Sequence, residues 1–162
     1  KEYGEEKWAA KIAKVIVERR AKEPIRTTAE LASIVLAAIP KKFHVKNIHP
    51  ATRVFQALRI EVNGELVAIE KGLVAGMNIL KKGGVMLCIS FHSLEDRIVK
   101  NFFRNLSSSP SSDFEIYGRR EPVVDIITKK PLTPSEDELL WNNRARSAKL
   151  RAAYKVRDWV GL

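Results

Sequence analysis

The chain has 162 residues, 45% of them apolar, and its 29 Lys and Arg outnumber 19 Asp and Glu to leave a formal charge of +10. That length buries one good core or two partial ones, and the cationic surplus favours a polyanionic partner such as nucleic acid or an acidic membrane face. There is no run of about 18 apolar residues, and no charged-then-apolar leader at Lys1 to Trp8, so neither a membrane span nor a secretory signal is expected. Cys88 is the single cysteine and sits in the apolar run VMLCISF, which rules out an intramolecular disulfide and fits a reducing, cytoplasmic compartment.

Trp8, Ile12, Val15 and Ile16 recur at helical spacing, predicting an amphipathic helix from Glu5 to Lys22, ended near Pro24. Thr27 and Glu30 stand in capping-box register before Leu31, Ile34, Val35 and Leu36, so a second helix starts there and stops at Pro40. From Pro50 to Leu80 the helical period runs without a break, predicting one long third helix. Within it Gly64, Gly72 and Gly76 mark close packing or a bend.

Gly83 and Gly84 end that period. Val85 to Phe91 then has the form of an interior parallel strand, apolar on both faces, and helical spacing returns at Leu94, Ile98, Val99, Phe102 and Phe103. This strand, turn and helix order is the unit of a parallel α/β sheet. It places His92, Ser93, Glu95 and Asp96 at the strand's carboxyl edge, where open sheets bind ligands. Residues 106–113 (LSSSPSSD) read as a flexible Ser-rich loop. Pro122 to Thr128 reads as a short strand, Thr133 and Glu136 as the cap of a short helix through Leu140, and Ser147 to Val156 as a last strand. Two or three strands cannot close a doubly wound core, so further strands are expected from elsewhere.

Three constellations are candidates for chemistry. SFHSLEDR (90–97) holds His, Ser and two carboxylates, but no glycine elbow flanks Ser93, which argues against a hydrolase nucleophile. Ser93 fits an N-cap with Asp96 at the third position, leaving His92 as a hydrogen-bond donor or acceptor for a base. His49, Pro50, Ala51, Thr52 and Arg53 open the third helix, either as its cap or as a phosphate clamp. In NNRARSAKLR (142–151), alternation puts Lys149 and Arg151 on one strand face. With Arg144 and Arg146 they form a solvated edge or a phosphate-contacting stripe. One Cys and three scattered His give no metal-ligand spacing, and the eight glycines form neither GxGxxG nor a Walker loop.

The runs YGEEKWAAKIAKVIVERR, HPATRVFQALRIEVNGEL, LKKGGVMLCISFHSLEDRIVKNFF and NNRARSAKLRAA together resemble the C-terminal portion of the RsmH/MraW family of ribosomal RNA methyltransferases. The resemblance implies the second half of a Rossmann-like class I methyltransferase sheet, residues 76–162, plus part of an all-helical inserted subdomain, residues 1–75. It implies S-adenosylmethionine-dependent N4-methylation of a cytidine in the decoding region of small-subunit rRNA, with that rRNA or the 30S ribosomal subunit as partner. No residue here matches the family's glycine-rich cofactor loop, so no cofactor-binding residue is assigned and the fragment is expected to be inactive alone. His92 and Ser93 are then the residues expected near the target base. His49, Arg53, Arg97, Arg144, Arg146, Lys149 and Arg151 are expected to steer RNA. Exposed sheet edges imply self-association, for instance as a homodimer. The competing reading is a non-catalytic RNA-binding or ribosome-assembly module, for which the basic surface suffices.

Overall fold

Residues 2–44, 49–107 and 121–159 are described in the computed structural model, and they separate into two units, Lys1–Glu65 and Leu66–Leu162. The division falls ten residues before the boundary read from the sequence. No helix among the described residues is long and apolar enough to cross a membrane.

The first unit is helical. Its first helix, α1, spans Ala9–Lys22, entered through a turn in which the Glu6 carboxylate accepts the Trp8 amide at 2.9 Å. Helix α2, Thr28–Ala38, opens with the anticipated capping box: the Glu30 amide donates to Thr27 Oγ1 at 3.1 Å, and Glu30 Oε2 accepts from the Arg26 and Thr27 amides at 2.8 and 3.4 Å. A 3₁₀ turn, Lys41–Phe43, follows Pro40, and His44 Nε2 lies 2.9 Å from the Ile39 carbonyl. Ile12, Val35, Ala38, Ile39 and Ala51 form the core.

The long third helix does not run through. Helix α3 spans Thr52–Asn63 and ends at Gly64, which takes the left-handed conformation (φ 61°, ψ 34°), and α4, Glu65–Ile79, starts at the next residue. Glycine adopts that backbone without a Cβ penalty, so the chain breaks there even though the apolar period is kept on both sides.

In the second unit α4 leads into β1 (Val85–Ser90), α5 (Ser93–Leu106), β2 (Val124–Ile126), α6 (Glu136–Trp141), a 3₁₀ segment (Asn143–Ser147) and β3 (Lys149–Lys155). The sheet order is β1-β3-β2, both pairings antiparallel, with Ser90 opposite Lys149 and Val124 opposite Lys155. Leu73 and Met77 of α4, Val99 and Phe103 of α5, Val123, Val124 and Ala153 make its core. α4 runs close to the sheet at Gly76, where a Cβ would lie 2.8 Å from Met86 Cε, the flexible end of that side chain. Lys155 is buried, and its Nζ donates to the Met77 and Leu80 carbonyls at 2.8 and 2.6 Å, closing the end of α4.

Four readings are corrected. Among the described residues β1 is an edge strand with one antiparallel neighbour, not an interior parallel strand. Met86, Cys88 and Ser90 face the core side, while Val85, Leu87 and Ile89 are exposed. β3 is the middle strand rather than an edge, because β1 and β2 pair to its two sides. The cap of α6 is Ser135, whose Oγ accepts the Glu138 amide at 3.2 Å, two residues past the Thr133 and Glu136 register. The cap of α5 is also displaced, by one residue, to His92. Of the Ser-rich stretch, residues 108–113 lie outside the described residues.

Candidate functional site

The second unit gathers its polar residues at the carboxyl end of β1. There the chain leaves the sheet at Ser90, whose hydroxyl donates to the Lys149 carbonyl at 3.4 Å, and turns directly into α5. His92 occupies the N-cap in extended backbone, its Nδ1 accepting the Glu95 amide at 3.3 Å. Glu95 Oε2 returns to accept the Phe91 and His92 amides at 2.7 and 3.2 Å. HSLE thus does with histidine what S/T-x-x-E does with a hydroxyl, and it occupies the Phe91, His92 and Glu95 amides at the helix start.

This geometry fixes the histidine's tautomer. With the Nδ1 lone pair accepting, the neutral ring carries its hydrogen on Nε2. That nitrogen is buried and has no hydrogen-bond partner among the described residues; Glu95 Oε1 is 3.4 Å away but out of alignment. A buried N–H left in that condition costs about 1–3 kcal/mol, so the site favours an incoming acceptor. His92 can offer a hydrogen bond there and, as the neutral ring, cannot take a proton through that atom.

Asp96, on the next turn, is held by Arg151 of β3 through two bonds, Nε to Oδ1 at 2.6 Å and a terminal nitrogen to Oδ2 at 3.1 Å. Both side chains are largely buried, with Lys149 Nζ 3.9 Å from Oδ2. The Arg151 hydrogen bonds hold the Asp96 carboxyl below the usual carboxylate range, with the charges of Arg151, Lys149 and Lys100 adding to the effect against the opposing pull of burial. The pair ties the start of α5 to the sheet and so sets where His92 stands.

Along the open edge of β1 lies a cleft of about 370 Å³, lined by Gly72 and Leu73 of α4, Met86 to Ser90, and Glu95 and Val99 of α5. Gly72 contributes space to it, because a Cβ there would meet nothing within 4 Å. Burial pushes the Cys88 thiol upward, as expected of a small hydrophobe in this wall.

Of the residues expected to steer RNA, the second unit brings Arg144, Arg146 and Lys149 toward this end of the sheet. Arg144 and Arg146 are exposed on the 3₁₀ segment, and Lys149 is half-buried opposite Ser90. Arg97 is exposed on α5, as is Ser93 at its first position. Arg151 does not join a solvated stripe: on the middle strand the same alternation turns it inward, onto Asp96. His49 and Arg53 belong to the other unit, where both are exposed and His49 Nδ1 accepts the Ala51 amide at 3.1 Å before α3. Trp141, 78% exposed beside the arginines, escaped notice; the apolar LLW closing an acidic helix was its signal.

A strand with one open edge, delivering a helix start and a polar cluster at its carboxyl end, is half of an open α/β sheet, here the partial fold of a methyltransferase. Residues 1–156 match the MraW methylase family. The chain is 52% identical over 158 residues to the ribosomal RNA small subunit methyltransferase H of Carboxydothermus hydrogenoformans, covering 96% of this chain and 50% of that protein. It is 54% identical over 155 residues to the protein of that name from Leptospira biflexa (96% and 46%), and 52% over 161 residues to that of Heliobacterium modesticaldum (97% and 51%). The chain belongs to the MraW methylase family, and it spans about half the length of the curated relatives it matches.

Proposed function

We propose that the full-length protein methylates the N4 amine of a cytidine in the decoding region of small-subunit rRNA, and that this chain supplies the side of the site that orients the base. The observation that carries the reading is the buried Nε2–H of His92, at the carboxyl end of an open strand, without an acceptor among the described residues. Its setting supports it: relatives about half identical to this chain bear the name ribosomal RNA small subunit methyltransferase H.

Cytosine N4 is a weak nucleophile because its lone pair is delocalised into the ring, so rate must come from alignment of an unstacked base. The base's O2 and N3 are acceptors. A neutral His92 donating to one of them fixes the ring in its plane. Arg144, Arg146, Lys149 and Arg97, with His49 and Arg53 on the other unit, would contact phosphates; Arg151 is withdrawn from that role by its bond to Asp96. S-adenosylmethionine would supply the methyl group. The described glycines with positive φ, Gly64 and Gly83, end a helix and lead into β1.

The test is methyl transfer from labelled S-adenosylmethionine to 30S subunits by the full-length protein, followed by nucleoside analysis. Labelled N4-methylcytidine is the expected product. Retained rRNA binding with no methyl transfer would favour the non-catalytic module instead. Reversing charge at Arg144 and Arg146 should weaken binding and flatten its salt dependence, lowering the logarithmic slope by about 1 to 2.

A further inference from the structure

The first unit carries an aromatic pair to which the proposed function assigns no role. Trp8, at the start of α1, meets Phe43, the last residue of the 3₁₀ turn, with ring centroids 5.1 Å apart and planes inclined at 49°. Phe43 nevertheless remains 50% exposed. Each ring also carries an ammonium: Lys11 Nζ is 5.6 Å from the Trp8 centroid and Lys42 Nζ 5.1 Å from that of Phe43.

The turn that carries Phe43 is hydrogen-bonded. The Phe43 amide donates to the Pro40 carbonyl at 2.9 Å, the His44 amide to the Lys41 carbonyl at 3.0 Å, and the His44 ring reaches the Ile39 carbonyl. A half-exposed ring with a lysine beside it and another beside its Trp8 partner is poorly matched to an apolar protein surface, since covering it would strip water from two ammonium groups. A nucleotide brings both complements at once, a π-face for the ring and phosphates for the lysines.

We propose that Trp8, Phe43, Lys11 and Lys42 form a stacking platform for an unpaired nucleotide of the RNA substrate, the base lying on Phe43 and the flanking phosphates on the two lysines. The proposal rests on the rRNA reading above.

The test measures binding of the full-length protein to a labelled, unstructured pyrimidine-rich RNA of about ten nucleotides over a range of salt. Phe43→Leu, which fills similar apolar space without a ring, should weaken binding about 5- to 150-fold at an unchanged salt slope, and Phe43→Tyr should bind as the natural protein does. Lys42→Gln should lower the slope by about 1. Phe43→Leu binding like the natural protein, or Phe43→Tyr losing as much as Phe43→Leu, would overturn the platform. Methyl transfer to 30S subunits, measured in parallel, separates the two ideas. Activity without ring dependence sinks the platform alone, whereas ring-dependent binding without activity leaves it standing and removes the methylation reading.

Discussion

Two helices in different units begin with the same device and leave different remainders. At α2 the cap is Thr27 and at α5 it is His92; in each the cap side chain accepts the amide of a glutamate three residues on, and that glutamate accepts two backbone amides in return. Thr27 does this with one exposed oxygen. His92 does it with one end of a ring whose other end is a buried N–H without an acceptor among the described residues. A hydroxyl would cap α5 equally well, so the choice of histidine is explained by the second nitrogen rather than by the helix.

The comparison can be broken most severely through the support that α2 lacks. Arg151→Met strands the Asp96 carboxylate in a buried setting and should cost about 3–5 kcal/mol in urea denaturation, displacing His92 with it. The same pair predicts a pH dependence. Because the folded state depresses Asp96, its contribution is fully present above the ordinary carboxyl pKa and is lost as pH falls through the lower folded value. The stability advantage of the natural protein over Asp96→Asn should therefore shrink on acidification below about pH 4 and hold steady above it.

A sharper cut is His92→Thr, which keeps the cap and removes Nε2–H. Stability should change by less than about 1 kcal/mol, while kcat/KM for methyl transfer in the full-length protein falls about 10- to 100-fold. A full rate in that variant would reduce the histidine to a cap. Smallest of all is Thr27→Ala, expected to cost about 1 kcal/mol in thermal or chemical unfolding and to leave methyl transfer where it was.

What could be read in advance follows the same division. Thr27 and Glu30 were legible because hydroxyl, spacing and following apolar run all agree. The α5 cap shifted by one residue because histidine is not among the favoured cap types, so Ser93 drew the assignment. Gly64 reads as close packing or a bend rather than a helix end, since the apolar period continues across it, and only the backbone angle reveals the left-handed turn. β1 is apolar on both faces, as its composition indicated, yet pairing partners are a non-local property. Only the ladder shows that one edge is open and that its single neighbour is antiparallel. The alternation of β3 was correct and its meaning inverted: Arg151 points where the pattern put it, but on a middle strand that direction is inward. The half-sheet was readable from local pattern, whereas the clamp on Asp96 joins residues 55 positions apart and left no local trace.

The two cations buried in β3 act on β1 at opposite ends. Lys155 holds the α4 carbonyls just before the strand and exchanges backbone bonds with Gly83 and Gly84, while Arg151 grips Asp96 just after it. Sliding the ladder by a single residue would reverse every side chain and break both anchors at once. The outer row of amides and carbonyls is thereby indexed like a ruler fixed at each end, and whatever chain adds to that edge meets it in one alignment.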